Sequence, residues 1–288
     1  MLDRAFVVLQ HLLPRHLLTS LVWRLARARS PAVKNRLITW FARAFDVDLD
    51  EVRLEVPDDF ATFNDFFVRE LADDARPLAD DAGAIVSPVD GTVSFAGDIR
   101  DRALFQAKGI DYSLDELLAT DLDQASRFVN GRFATLYLAP YNYHRVHAPL
   151  AGTLVAARYV PGDLFSVNER TVANLRGLFR RNERLVMHFR TDLGPAVVIF
   201  VGALNVGSIS TPWTGEIRPR KSGIVEVLDI DGHPAEVDKG DLLGWFNMGS
   251  TVILLLPPGV CEWDAGLQPG KRVRMGERIG GRLNPADG

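Results

Sequence analysis

The chain has 288 residues, 47% hydrophobic and 24% charged, with a net charge of −4 and one cysteine. Such a composition buries a sizeable core and excludes disordered, collagen-like and disulfide-stapled classes, and Cys261 alone can form neither an intramolecular disulfide nor a cysteine-rich zinc site. The charge is uneven: residues 1–45 carry eight Lys or Arg against Asp3 alone, a net +7, so the remainder sums to −11.

Residues 1–45 read as helices punctuated by Pro14 and Pro31. Leu18, Leu21, Val22 and Leu25 fall on one face of a 3.6-residue period, and Leu37, Trp40, Phe41 and Phe45 form a second apolar group beside Arg36 and Arg43. Basic and apolar together, the segment suits an anionic membrane surface better than nucleic acid. Packing of the same stripe on the protein's own body is the competing explanation. A further helix is expected from Pro57 to Leu71, capped by Asp58 or Asp59, with Phe60, Phe63 and Phe67 as core. Residues 72–83 read as a solvated linker. The expected division is therefore a helical membrane-associating region over 1–75 and a β-rich domain over 76–288.

Beyond the linker, short strands alternate with Gly, Pro and Asp turns. They are expected at Ile85–Val86, Thr92–Phe95, Phe133–Leu138, Gly152–Val155, Leu185–Phe189, Val197–Val201, Ile217, Ile224–Leu228 and Val252–Leu256. Asp90-Gly91 and Asp231-Gly232 carry turn signals, and Arg170–Asn182 reads as a mobile insert with Arg176, Arg180, Arg181 and Arg184 clustered in and beside it. The expected fold is α+β: N-terminal amphipathic helices followed by a β-rich sandwich or barrel-like catalytic domain. The longest apolar run, Ala196 to Leu204, is half the roughly 18–20 residues of a membrane span, and no secretory signal pattern opens the chain. The expected location is the cytoplasmic face of the cell membrane, held peripherally.

Phosphate-loop, dinucleotide, zinc-protease and nucleophile-elbow motifs are absent. His144 and His147 have a chelating spacing only on a helix, which Pro140 and Pro149 oppose, so no metal is expected. Taken singly, Asp90 before Gly91 is a turn residue, a serine such as Ser250 at a strand start is ordinarily inert, and His188 and His233 receive no role.

Four segments occur in order: Ser87-Pro-Val-Asp-Gly91, Leu138-Ala-Pro-Tyr-Asn-Tyr-His-Arg-Val-His-Ala-Pro149, Pro161-Gly-Asp-Leu-Phe-Ser-Val-Asn168 and Gly244-Trp-Phe-Asn-Met-Gly-Ser-Thr251. Together with Phe66–Leu71, Asn182–Arg184 and Val201–Ile209, they resemble the phosphatidylserine decarboxylases of the bacterial, membrane-associated type. The family's Leu-Gly-Ser-Thr motif reads Met248-Gly249-Ser250-Thr251 here. The resemblance implies that the chain cuts itself between Gly249 and Ser250, giving a β chain of residues 1–249 and an α chain of residues 250–288. Ser250 would become a covalent pyruvoyl group, the cofactor, which forms a Schiff base with the serine amine of phosphatidylserine. It further implies Asp90, His147 and Ser250 as a processing triad, with Gly249 giving the backbone its freedom, and His144 as the proton donor in decarboxylation. A homodimer is also implied. Asn142 stands where the family commonly has Asp. Two other readings are a lipid-ester hydrolase using Asp90, His147 and Ser250 without self-cleavage, and a non-enzymatic membrane-tethered β-domain scaffold.

Overall fold

A computed structural model of the chain describes residues 2–107, 110–119, 122–205, 208–230 and 235–283. Asp231-Gly232 and His233 lie outside them. Three helices come first, α1 (Leu2–Leu12), α2 (Arg15–Ala26) and α3 (Pro31–Ala44). Pro14 directly precedes α2 and Pro31 opens α3, where a missing N–H costs nothing and the fixed φ already suits a helix. The helix expected over 57–71 contracts to five residues, α4 (Phe63–Phe67), and its cap is Thr62, which accepts from Asp65 N at 3.1 Å. The two candidate caps are spent elsewhere: Asp58 accepts from Asn35 and Asp59 from the Glu55 amide, each at 3.1 Å. The phenylalanine stripe is core as expected, with Phe41 of α3 packed against Phe63, Phe66 and Phe67.

The N-terminal helices both dock and expose. Gln10 bonds Thr171 and the Ser166 amide, Arg15 pairs with Asp163 at 2.7 Å, and Trp23 and Arg27 both reach Glu216. Yet Leu21 and Leu25, half of the expected α2 stripe, remain about half exposed, while the residues α2 buries are Thr19 and Ala26. Leu12 is 77% exposed and Trp40 61%.

Among the described residues, the main sheet runs in the order Glu226–Leu228, Gly152–Val160, Arg184–Thr191, Gly194–Val201, Thr251–Leu256, Arg132–Tyr137, Gly91–Asp98, Arg272–Val273, with Glu236–Val237 beside Gly152–Val160. A four-stranded sheet orders Gly215–Ile217, Ile209–Thr211, Leu242–Phe246 and Arg145–His147, and a three-stranded one orders Ala84–Val86, Arg278–Arg282 and Cys261–Trp263. The sheets are antiparallel and open; among the described residues no barrel closes. Asp90-Gly91 is consequently no hairpin turn, because Ala84–Val86 pairs with Arg278–Arg282 while Gly91–Asp98 pairs with Arg132–Tyr137. The dipeptide carries the chain from one sheet to another.

Two other expectations change. The segment 170–182 is packed rather than a mobile insert: Gln106 donates to the Val172 and Leu175 carbonyls and accepts from the Leu178 amide, and Leu178 and Phe179 are buried. Its arginines are mostly committed. Arg184 is buried and donates to the carbonyls of Glu116, Leu117 and Asn182, Arg180 pairs with Glu116, and Arg181 lies over the Phe165 ring. Nor is 72–83 merely solvated, since the Arg76 side chain is 8% exposed and bridges Glu51 and Asp90.

Directly before the strand Arg184–Thr191, Glu183 is buried, accepts from the Tyr159 hydroxyl at 2.6 Å and leaves its other oxygen without a partner. Burial pushes its carboxyl up to about 8 from 4.5, although the Tyr159 hydrogen bond and Arg220 pull the other way. The unfolded chain ionises this group first, so its contribution to stability is complete below pH 4.5 and is lost as pH rises to about 8. Glu183→Gln in a Ser250→Ala background should remove a slope of up to about 1.4 kcal/mol per pH unit across that window. Urea unfolding at pH 5 and pH 8 measures it, and an unchanged slope would show that Glu183 is ionised in the fold.

Candidate active site

The strand Thr251–Leu256 lies between Gly194–Val201 and Arg132–Tyr137, and all six of its residues are buried. A strand covered on both faces reads as a continuous apolar run, as this one does after Thr251. Thr251 is in register with Tyr137 and Val201, and the Ser250 carbonyl accepts from the Leu138 amide at 2.9 Å. Upstream, Asn247 ends the crossing from the smaller sheet. Its amide donates to the Ser208 carbonyl, its side-chain NH2 to the Ser208 and Ser210 hydroxyls, and its side-chain oxygen accepts from Asn64.

Met248 and Gly249 thus bridge two sheets with both ends held. The strain falls on Met248, at φ +121°, a region that costs a non-glycine residue about 1–3 kcal/mol. Gly249 is expected to permit an unusual backbone and to leave room for the attack; the positive φ falls on its neighbour Met248. Gly249 contributes openness: a Cβ there would stand 3.5 Å from His144 Nε2 and 3.6 Å from the Leu138 carbonyl.

Ser250 is fully buried and its hydroxyl has no hydrogen-bond partner. His144 is also fully buried. Its Nδ1–H donates to the Asn142 carbonyl at 2.8 Å, which leaves Nε2 with the lone pair, unpartnered and facing Gly249. Burial, and secondarily the Arg69 charge, lower its pKa to about 3 against the Asn142 hydrogen bond. Asn142 holds the same loop by accepting from the Ala139 amide at 2.8 Å. An acceptor oxygen suffices there, so the departure from Asp removes no charge that the loop uses.

Asp90 and His147 lie in a neighbouring polar network. Asp90 is bound by Arg76 through both oxygens, at 2.8 and 2.5 Å, and accepts from the Met275 amide at 2.8 Å. His147 donates from Nδ1 to the Gly240 carbonyl at 2.7 Å and accepts at Nε2 from the Tyr143 hydroxyl at 3.0 Å. The expected triad is therefore not a continuous hydrogen-bonded relay: both ring nitrogens of His147 are occupied, neither by Asp90 nor by Ser250. Burial lowers the His147 pKa, opposed by the Gly240 bond and by the charges of Asp90 and Asp241, while Arg145 adds to the lowering.

Sequence reasoning missed Arg76, Tyr143, Arg69 and Asn247. Tyr143 lay within a singled-out segment, whereas Arg76 was hidden in a stretch whose composition is that of a linker. Among the described residues, no group of three His, Cys, Asp or Glu side chains converges as metal ligands.

Gly249 and Ser250 open onto a cavity of about 450 Å³. Leu25, Trp40 and Phe41 of the N-terminal helices roof it, and Phe63, Tyr137 and Val167 line its walls. The helices therefore cover Gly249 and Ser250 with apolar surface.

A family model described as phosphatidylserine decarboxylase matches residues 63–281, and one described as PSD matches residues 5–46. The chain belongs to the phosphatidylserine decarboxylase family. It is 48% identical over 283 residues to the phosphatidylserine decarboxylase proenzyme of Alcanivorax borkumensis, covering 98% of this chain and 97% of that one. To the proteins of the same name from Azotobacter vinelandii and Pseudomonas aeruginosa it is 50% and 47% identical, with coverage of 96% or more of each chain.

Proposed function

We propose that this chain decarboxylates phosphatidylserine to phosphatidylethanolamine and carbon dioxide after cutting itself between Gly249 and Ser250. The observation that carries the reading is the buried Ser250 hydroxyl, without a partner, at a strained junction beneath an apolar cavity. A buried hydroxyl with no hydrogen bond is costly to keep, which fits a group retained for reaction. The same position fits the pyruvoyl group that the family implies: it heads the central strand, Leu138 holds its carbonyl, and the cavity admits a lipid amine beside it. That group supplies an electron sink for the electrons released as carbon dioxide leaves.

His147 is the base for the self-cleavage. Burial and the Arg145 charge lower its pKa, but the Gly240 hydrogen bond, Asp90 and Asp241 favour the imidazolium that a base must form. His144 is lowered by burial first and by the Arg69 cation second, with no carboxylate among the described residues opposing them, so it is a poor base in the uncut chain. To take the Ser250 proton, His147 exchanges its Tyr143 contact for the hydroxyl. Arg76 and the Met275 amide fix the orientation of the Asp90 side chain. His144, with Nε2 at the reacting centre, is the proton donor of the decarboxylation.

Denaturing mass measurement tests the cut: a 249-residue and a 39-residue chain are expected, the smaller lacking a free amino terminus. One unbroken 31.9 kDa chain, as the hydrolase and scaffold readings require, would sink the proposal. The comparisons support neither of those readings.

The enzyme sits on the cytoplasmic membrane face, seated by exposed Leu12, Leu17, Leu21 and Trp40, with Arg24, Arg29, Arg36 and Arg43 exposed on the same helices and the loop between them. No helix among the described residues is long and apolar enough to span a bilayer. Removing residues 1–45 would strip Phe41 from the core, so point changes are the cleaner test. Converting Leu12, Leu17 and Leu21 to Gln should weaken partitioning onto anionic vesicles by about tenfold or more, and salt should weaken the wild type. Unchanged sedimentation would assign these leucines no part in docking.

A further inference from the structure

We infer that the cut itself arms His144: the carboxylate that Gly249 gains becomes the counter-anion that lets this imidazole hold, and then deliver, a proton. The inference rests on the self-cleavage proposed above. In that reaction the Gly249 acyl carbon moves from the Ser250 nitrogen to its hydroxyl oxygen. Elimination then removes the Ser250 Cα proton and breaks the Cβ–O bond, and the electron pair leaves with oxygen as the Gly249 carboxylate. A neutral amide beside His144 is thereby replaced by an anion.

The geometry places that anion where it matters. Nε2 faces Gly249 with no partner of its own, at 3.5 Å from the position a Cβ would take. The new terminus is leashed. Asn247 is held by Ser208, Ser210 and Asn64, and Met248 packs against the phenylalanine cluster, so Gly249 lies two residues from a fixed point and within about 7 Å of it.

Among the described residues, the surroundings of His144 hold nothing else that would do this. Phe67 of α4 packs its ring at 4.1 Å, Asn142 accepts at Nδ1, and the Phe246 amide, from the adjoining strand, bonds the His144 carbonyl. The one charge acting on it among the described residues is that of Arg69, which opposes protonation and has Nε and Nη1 unpartnered. An anion within 4–6 Å of a buried imidazole raises its pKa by roughly 1–3 units, or about ten- to thousandfold in proton affinity. The uncut chain thus keeps its donor silent, and the donor appears with the electrophile it serves.

Imidazole ¹⁵N chemical shifts followed from pH 4.5 to 8 test this, with His144 assigned by its loss in His144→Gln. In the Ser250→Ala precursor His144 should stay neutral throughout. In the two-chain wild type its midpoint should rise by about two units or more and enter that window. Protein broken in hydroxylamine, which traps the ester and leaves Gly249 as an uncharged hydroxamate, should behave like the precursor. Two chains with an unshifted His144 overturn the inference alone, as does an equal shift in the hydroxamate form. A wild type that never breaks overturns the self-cleavage, and the inference with it.

Discussion

Ser250→Ala should remain a single 31.9 kDa chain under conditions in which the wild type is fully cut, and its decarboxylation should fall to background. The expectation is absolute because, in the proposed reaction, the hydroxyl is both the nucleophile and the group whose elimination opens the route to the electrophile; an alanine can supply neither. The substitution is also structurally mild. The hydroxyl makes no hydrogen bond and is fully buried, so its removal leaves no partner unsatisfied and relieves a desolvated group. A cooperative melt and unchanged far-UV circular dichroism should accompany the loss. Normal fragments from this variant would place the bond, or the nucleophile, elsewhere.

The second large effect separates the two histidines. His147→Ala and Asp90→Asn should accumulate precursor, with processing slowed by about 10²-fold or more, the usual worth of a positioned base. His144→Ala should be cut at close to the wild-type rate and yet decarboxylate at background. The division follows from the charges around each ring. Burial lowers both pKa values, but at His147 Asp90 and Asp241 oppose it and Arg145, whereas at His144 Arg69 adds to it before the cut. Asp90→Asn additionally removes the charge facing the Arg76 guanidinium and leaves one acceptor oxygen where there were two, since the amide NH2 cannot accept from it. Denaturing gels read the processing, and carbon dioxide release reads the turnover. The opposite pattern, with His144→Ala uncut and His147→Ala cut normally, would move the base to the ring that already faces Gly249.

Several elements were legible in the residues because their signals are local. Pro14 and Pro31 mark helix boundaries, the stripe of Phe60, Phe63 and Phe67 is core, and the run Val252–Leu256 is a strand buried on both faces. Asp90, His144, His147 and Ser250 were singled out by the order of their segments, and the tertiary structure places His144 against Gly249. The Asp90-Gly91 turn signal failed for a physical reason. A turn residue's preference is satisfied by its neighbours in sequence, but Asp90 is satisfied by Arg76 and by Met275, 185 residues away.

By itself, then, the sequence determined the element types, the residue kinds available for chemistry and the basic apolar character of the first 45 residues, since each depends on side chains a few positions apart. Only the tertiary structure decided which charges face which imidazole, that Met248 rather than Gly249 carries the backbone strain, and that the N-terminal helices both roof the cavity and expose leucines outward. Those outcomes depend on contacts between distant segments, on burial that alters the cost of a charge, and on strands held from both sides, none of which leaves a periodic trace in the chain.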